Sequence, residues 1–295
     1  MGAGWVDEHP KREWLTLASE TVGQDLRTLC LEGPKEDLSQ TVVTQPALYL
    51  LSAMLLHSLE QKGIRPIATA GHSAGEYAAL LAAGAWDFVT GLRVISTPAR
   101  IMYESGKRRP GGMAAVLGLD ATEVKTFCRE TFSERQVVVA NLNTPNQTVI
   151  SGEKECVERS VALLKEKGAR RVLPLPVSGA FHSPLLDEGA KEFSEYLESV
   201  EIKDLSVSWV SNHTGQVERS AEAIRRHLAA QLIMPVRWTE SMRTLDEMEC
   251  DGFLEVGPGK VLTGLAKGCK TAKPCRPVGT PEEVDSILKE ERAES

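Results

Sequence analysis

The chain has no Cys-x-x-Cys pair, no metal-ligand spacing, no internal repeat and no low-complexity tract. Its six cysteines (Cys30, Cys128, Cys156, Cys250, Cys269 and Cys275) are scattered through 295 residues. That pattern excludes a disulfide scaffold or zinc ribbon and reads as reduced, mostly buried thiols of a reducing compartment. A basic excess is also missing. The net charge of −7 argues against generic nucleic-acid binding, while leaving room for a local basic patch. No apolar run approaches the roughly 20 residues of a membrane span. A signal peptide is not visible, and Met1-Gly2 lacks the Ser or Thr of a myristoylation site. What is present, 42% hydrophobic and 25% charged residues, is the composition of a globular chain with a full core, in one large domain or two smaller ones.

Helical patterning covers residues 11 to 30 and 45 to 62, with Pro46 at the N1 position of the second helix and His57 inside it as a core or boundary residue. Residues 113–118, 136–143, 147–152 and 170–177 read as strands, with helices over 120–131 and 153–168. That order, βαββαβ, is the ferredoxin-like unit, and loop-rich seams on both sides mark residues 111–177 as an inserted subdomain. Elsewhere helices over about 184–199, 219–232 and 238–247 alternate with strands over 64–70, 205–212 and 252–259. An α/β core with a mainly parallel sheet is expected from 1–110 and 178–295. The charged tail KEERAES reads as a frayed helix end.

GHSAGEYAALLAAG carries the chemistry. Gly71-His72-Ser73-Ala74-Gly75 fits the G-x-S-x-G nucleophile elbow, where a strand turns sharply into a helix and leaves a serine Oγ exposed. A β-branched segment precedes it and an Ala/Leu-rich one follows. Gly71 and Gly75 are expected to avoid Cβ clashes in the tight turn. A serine needs a base, and the candidates are His9, His57, His72, His182, His213 and His227. An elbow aims neighbouring side chains apart, which discounts His72. His182, in the loop VSGAFHSPLL at the end of a strand, sits where catalytic groups are often carried.

GHSAGEYAAL, TQPALYLLS, NTPNQTVISG, VSGAFHSPL, QLIMPVRW and FLEVGPGKVLTGL occur together in one order and near one spacing. With them the chain resembles the malonyl-CoA:acyl carrier protein transacylases, relatives of the acyltransferase domains of fatty acid and polyketide synthases. The resemblance runs from residue 1 to about 280. It implies an α/β-hydrolase-like core carrying a ferredoxin-like subdomain, in agreement with the pattern already read. It implies a seryl acyl-enzyme on Ser73, His182 as base and then acid, and a main-chain carbonyl at Gln231 orienting that histidine. Ala74 N–H would serve the oxyanion hole. Gln45 and Asn143 are placed at the substrate, and Phe181 matches malonyl-selective forms of the motif. No bound cofactor or metal is implied. Coenzyme A enters as part of the thioester substrate, and the partner is an acyl carrier protein, with Lys107, Arg108, Arg109, Lys260, Lys267 and Lys270 as a candidate basic face for it. A cytoplasmic location is expected, or an organellar one if a targeting segment precedes Met1.

The chain departs from the family at two places. The family opens with an apolar strand and a Gly-Gln-Gly-Ser-Gln loop that supplies a second oxyanion donor, whereas this chain begins at MGAGW. A misplaced start is therefore expected. The family's carboxylate-binding arginine falls at Pro98, in GLRVISTPARIM, where a helix break is expected after Ser96-Thr97. Arg93 and Arg100 are the possible substitutes. Alternative readings are transfer of an uncharged acyl group, hydrolysis of acyl carrier proteins, or a non-catalytic fold that binds a carrier protein.

Overall fold

In the computed structural model, helix-forming segments crowd the first sixty residues and fold as α1 (Arg12–Val22), α2 (Leu26–Leu31), α3 (Lys35–Leu38) and α4 (Thr41–Gln61). The structure describes residues 1–2, 4–177 and 179–294, with side chains through Ile287 in the last helix. The single helical stretch expected over 11–30 is two helices. Gly23, at φ +70°, ends the first, and the Asp25 carboxylate accepts the N–H groups of Arg27 and Thr28 to start the second.

α4 corrects two expectations. It begins at Thr41, so Pro46 lies inside the helix and not at its first position. The helix is also 21 residues long and apolar enough, by length and composition, to cross a membrane. Its side chains explain the composition: Val43, Ala47, Tyr49, Leu50, Leu51, Met54 and Leu55 are buried in the main hydrophobic cluster.

The chain continues through β1 (Ala68–Thr69), α5 (Gly75–Ala83) and α6 (Phe88–Arg108). Next come β2 (Gly111–Leu117), α7 (Ala121–Thr131), β3 (Val137–Thr144), β4 (Gln147–Glu153), α8 (Lys154–Glu166) and β5 (Arg171–Pro174). A 3₁₀ turn, Pro184–Leu186, leads into α9 (Asp187–Glu198), β6 (Ser208–Val210), β7 (Val217–Glu218), α10 (Ala221–Gln231) and α11 (Trp238–Asp246). β8 (Phe253–Val256), α12 (Val261–Cys269), β9 (Cys275–Val278) and α13 (Pro281–Glu294) complete it. The expected seam residue 178 and the side chains of the KEERAES tail lie outside the described residues.

The fold is mixed α/β. β2 to β5 form an antiparallel sheet in the order β3-β4-β2-β5. Side chains alternate along β2 as a strand requires: Ala114 and Val116 join Val124, Phe127, Ile150 and Leu164 under the two helices. Met113 and Ala115 pack on the other face with Ala140, Val149 and Phe181. The outer edge of β3 is pinned to the rest of the chain. Leu142 N–H donates to the Val236 carbonyl at 2.8 Å, and Val236 N–H to the Ala140 carbonyl at 2.9 Å.

Outside that sheet the parallel pairs are β1 with β6 and β8 with β9. The expected mainly parallel sheet is thus only partly present, since β7 runs antiparallel to β6. Two residues of β7 and a proline within β9 left neither strand a readable pattern.

α6 overturns the expected break at Pro98. It runs unbroken from Phe88 to Arg108 with Pro98 buried inside it. An interior proline costs about 3 kcal/mol. Burying Leu92, Val94, Ile95, Ile101 and Met102 along the same helix contributes about 1.5–3 kcal/mol each, which outweighs it.

Candidate functional site

Ser73 stands between the carboxyl end of β1 and the first turn of α5, with φ at +50°. A left-handed serine is strained by about 1–3 kcal/mol and persists only where neighbours hold it. Three contacts do so. Ser73 N–H donates to Asn212 Oδ1 at 2.8 Å, and Asn212 Nδ2 donates to the Gly71 carbonyl at 2.6 Å. Glu76 N–H donates to the Ser73 carbonyl at 3.0 Å. The two motif glycines differ. A Cβ on Gly71 would lie 2.0 Å from the Gly75 carbonyl oxygen, so only glycine fits there. A Cβ on Gly75 would meet nothing within 4 Å, which corrects the expectation that both glycines prevent a clash.

Of the six histidines, the structure brings His182 to the serine. Its Nε2 lies 2.8 Å from Ser73 Oγ. Nδ1 lies 2.7 Å from the Gln231 carbonyl, which can only accept, so Nδ1 carries the proton and Nε2 is left free to accept one from the serine. Burial pushes the imidazole down to about pKa 4, with the Gln231 carbonyl opposing and His72 adding a smaller lowering. The ring is therefore neutral at neutral pH, the state of a general base. His182 is itself left-handed, at φ +55°.

His72 turns away, as expected of an elbow neighbour. Its Nε2 pairs with Asn143 Oδ1 at 2.8 Å, and its ring meets Trp238 edge-on. The Asn143 side chain thus ties β3 to the elbow. His57 lies among Trp14 and His9, and His227 pairs with Glu218.

Ala74 is the N-cap of α5, and the turn's bonds begin after it, with Gly75 N–H donating to the His72 carbonyl. Its own N–H belongs to the donor-rich end of a helix, where an oxyanion can be met. Phe181 is half-buried and packs against both the main cluster and the apolar face of the antiparallel sheet. Gln45 Nε2 donates to Met102 Sδ at 3.4 Å, linking α4 to α6. Arg100 is no substitute for an arginine at position 98. On an unbroken helix it faces elsewhere, and it pairs with Glu104 (3.2 Å) and Glu192 at the surface. Arg93 is exposed. Among the described residues no cluster of three or more His, Cys, Asp or Glu is placed to hold a metal ion.

Two groups at the site went unread in the sequence. Asn212 follows β6 and is fully buried, and its amide holds the elbow. Glu76, 1% exposed, accepts Asn212 N–H at 2.7 Å and the Gln231 side-chain amide. Burial pushes its carboxyl up to about pKa 8. The only signal was position: a carboxylate three residues past the elbow serine, and a polar residue at the carboxyl end of a strand.

Comparison with known proteins decides the family. The acyl transferase domain model matches residues 16–290. A malonyl CoA-acyl carrier protein transacylase of Bacillus subtilis is 40% identical over 278 residues, spanning 93% of this chain and 88% of that protein. The chain belongs to the malonyl-CoA:acyl carrier protein transacylases. Among solved structures of the family, the malonyl-CoA:acyl carrier protein transacylase of Xanthomonas oryzae superposes with a TM-score of 0.92 at 36% identity, covering 98% of this chain and 93% of that one. A malonyl-transacylase solved in complex with a type II polyketide synthase acyl carrier protein gives 0.89 at 37% identity, covering 95% and 91%.

Proposed function

We propose that Ser73 and His182 transfer a malonyl group from coenzyme A to the phosphopantetheine thiol of an acyl carrier protein. The observation that carries this reading is the 2.8 Å contact between Ser73 Oγ and His182 Nε2, with Nδ1 held by the Gln231 carbonyl. Ser73 Oγ attacks the thioester carbonyl while its proton passes to Nε2. The tetrahedral oxyanion is met by Ala74 N–H. The C–S bond then breaks, and Nε2 returns the proton to the departing coenzyme A thiolate. In the second half the carrier thiol gives its proton to Nε2 and attacks the seryl ester, and Ser73 leaves with the proton restored. Residues 1–110 and 178–295 form, on this reading, an α/β-hydrolase-like core, and 111–177 a ferredoxin-like subdomain whose β3 meets the elbow through Asn143 and His72.

Intact-mass measurement after incubation with malonyl-CoA tests the assignment. The wild-type chain should gain one malonyl group, and Ser73→Ala none. A folded wild-type chain that takes no acyl group from any thioester would sink it.

Pro98 supports a second feature, reduced selectivity for an acyl group that carries a carboxylate. The position where the family resemblance implies a carboxylate-binding arginine has neither donor nor charge, and Arg100 is engaged at the surface. An unpaired carboxylate is costly in a desolvated pocket.

A further inference from the structure

Glu76 lies in the first turn of α5, and the mechanism above makes no use of it. A carboxyl this deeply buried needs partners for its oxygens. It draws them from two other elements. Oε1 accepts the N–H of Asn212, after β6, at 2.7 Å, and Oε2 accepts the side-chain amide of Gln231, at the end of α10. Each partner holds one of the reacting residues with its other polar atoms. Asn212 Oδ1 accepts Ser73 N–H at 2.8 Å, and the Gln231 carbonyl accepts Nδ1–H of His182 at 2.7 Å. Gln231 Nε2 also reaches the Ser73 carbonyl at 3.4 Å.

We infer that Glu76 is the positioning residue of this site, clasping Asn212 and Gln231 so that the left-handed Ser73 and His182 stay at hydrogen-bond distance. It touches neither reacting atom. The inference rests on the reading of Ser73 and His182 as the acyl-transfer pair. The histidine here has no carboxylate at Nδ1. The buried carboxyl of Glu76 acts one residue further back, through the amide and carbonyl of Gln231.

Gln231 offers a clean handle, because Gln231→Met removes the side-chain amide and keeps the main-chain carbonyl and approximate volume. Glu76→Met removes both acceptors of the clasp, and neither methionine can re-form the contact by turning an amide or sharing a proton. The double variant removes the same contact as either single, so the losses should not multiply. The readout is phosphonylation of Ser73 by a fluorophosphonate, resolved into limiting rate and half-saturating concentration, alongside malonyl transfer and thermal melting. A misplacement near 1 Å costs about 10²-fold, so each single variant should lose about that much in limiting rate, with half-saturation within about threefold. The double variant should lose about as much as Glu76→Met alone.

Single variants that label at the wild-type rate would overturn the proposal. So would losses that multiply in the double variant, or a loss confined to half-saturation. Should Glu76→Met fail to fold, Gln231→Met is read alone by the same rate, and a wild-type rate there overturns the proposal. A wild-type chain that labels at Ser73 but takes no malonyl from coenzyme A overturns the substrate reading alone, and the variants' labelling rates still decide the role of Glu76. A wild-type chain that does not label at Ser73 overturns both.

Discussion

Acidification should separate this active site from one built on an ordinary histidine. His182 is buried and neutral, held at about pKa 4 against an ordinary value of 6.5. Two consequences follow, with signs fixed by linkage. The free base persists far into acid: at pH 5 about nine-tenths of His182 would still be neutral, against about 3% for an unperturbed imidazole. Acylation of Ser73 by malonyl-CoA, measured as kcat/KM from pH 7 downward, below the titration of Glu76, should therefore stay nearly flat to about pH 5 and then fall. The second consequence concerns stability. The unfolded chain binds the proton near 6.5 and the folded one only near 4, so stability is fully present above 6.5 and is lost as pH falls. At 1.36 kcal/mol per unit, the loss attributable to His182 between pH 7.5 and pH 5 is about 2 kcal/mol. Burial is essentially complete, so little solvent screening reduces it. His182→Gln lacks the titrating group. Urea unfolding at the two pH values should thus show the wild type losing about 2 kcal/mol more than the variant. An activity inflection near 6.5, or equal losses in both proteins, would refute the reasoning that burial sets the base.

Pro98→Arg should raise the preference for malonyl-CoA over acetyl-CoA by about tenfold, the worth of ~1.4 kcal/mol, measured as the ratio of kcat/KM. No change would mean that position 98 does not face the acyl group. Gly71→Ala should disable the elbow, because its Cβ meets the Gly75 carbonyl oxygen at 2.0 Å, while Gly75→Ala, with nothing within 4 Å, should fold normally. Thermal melting of the two variants checks this, and equal behaviour would remove the steric account. Lys107, Arg108 and Arg109, with Lys260, Lys267 and Lys270, are all exposed. If they steer an acidic carrier protein, transfer to the carrier should slow as salt rises from about 50 to about 500 mM while acylation from coenzyme A changes less. Charge reversal at these residues should flatten the dependence, and a flat wild-type profile would exclude steering.

Local chemistry sufficed for the parts of this protein that depend on neighbours in sequence. The βαββαβ order over 111–177 was legible because alternation along β2 and the helical periods of α7 and α8 each repeat within a dozen residues. The elbow was legible for the same reason; His182 became a candidate through its place in a loop at a strand end, and Gln231 through a resemblance carried by short motifs. Tertiary packing decided what local rules could not. Pro98 stays helical because the buried side of α6 outweighs the missing hydrogen bond, and Pro46 lies within α4 for the same kind of reason. Arg100 lost its candidacy once the unbroken helix aimed it at Glu192. The clasp of Glu76, Asn212 and Gln231 joins positions up to 155 residues apart, through groups that any one segment would show merely as an acid, an asparagine and a glutamine. A buried hydrogen bond is specified by three-dimensional register, and sequence spacing does not encode it.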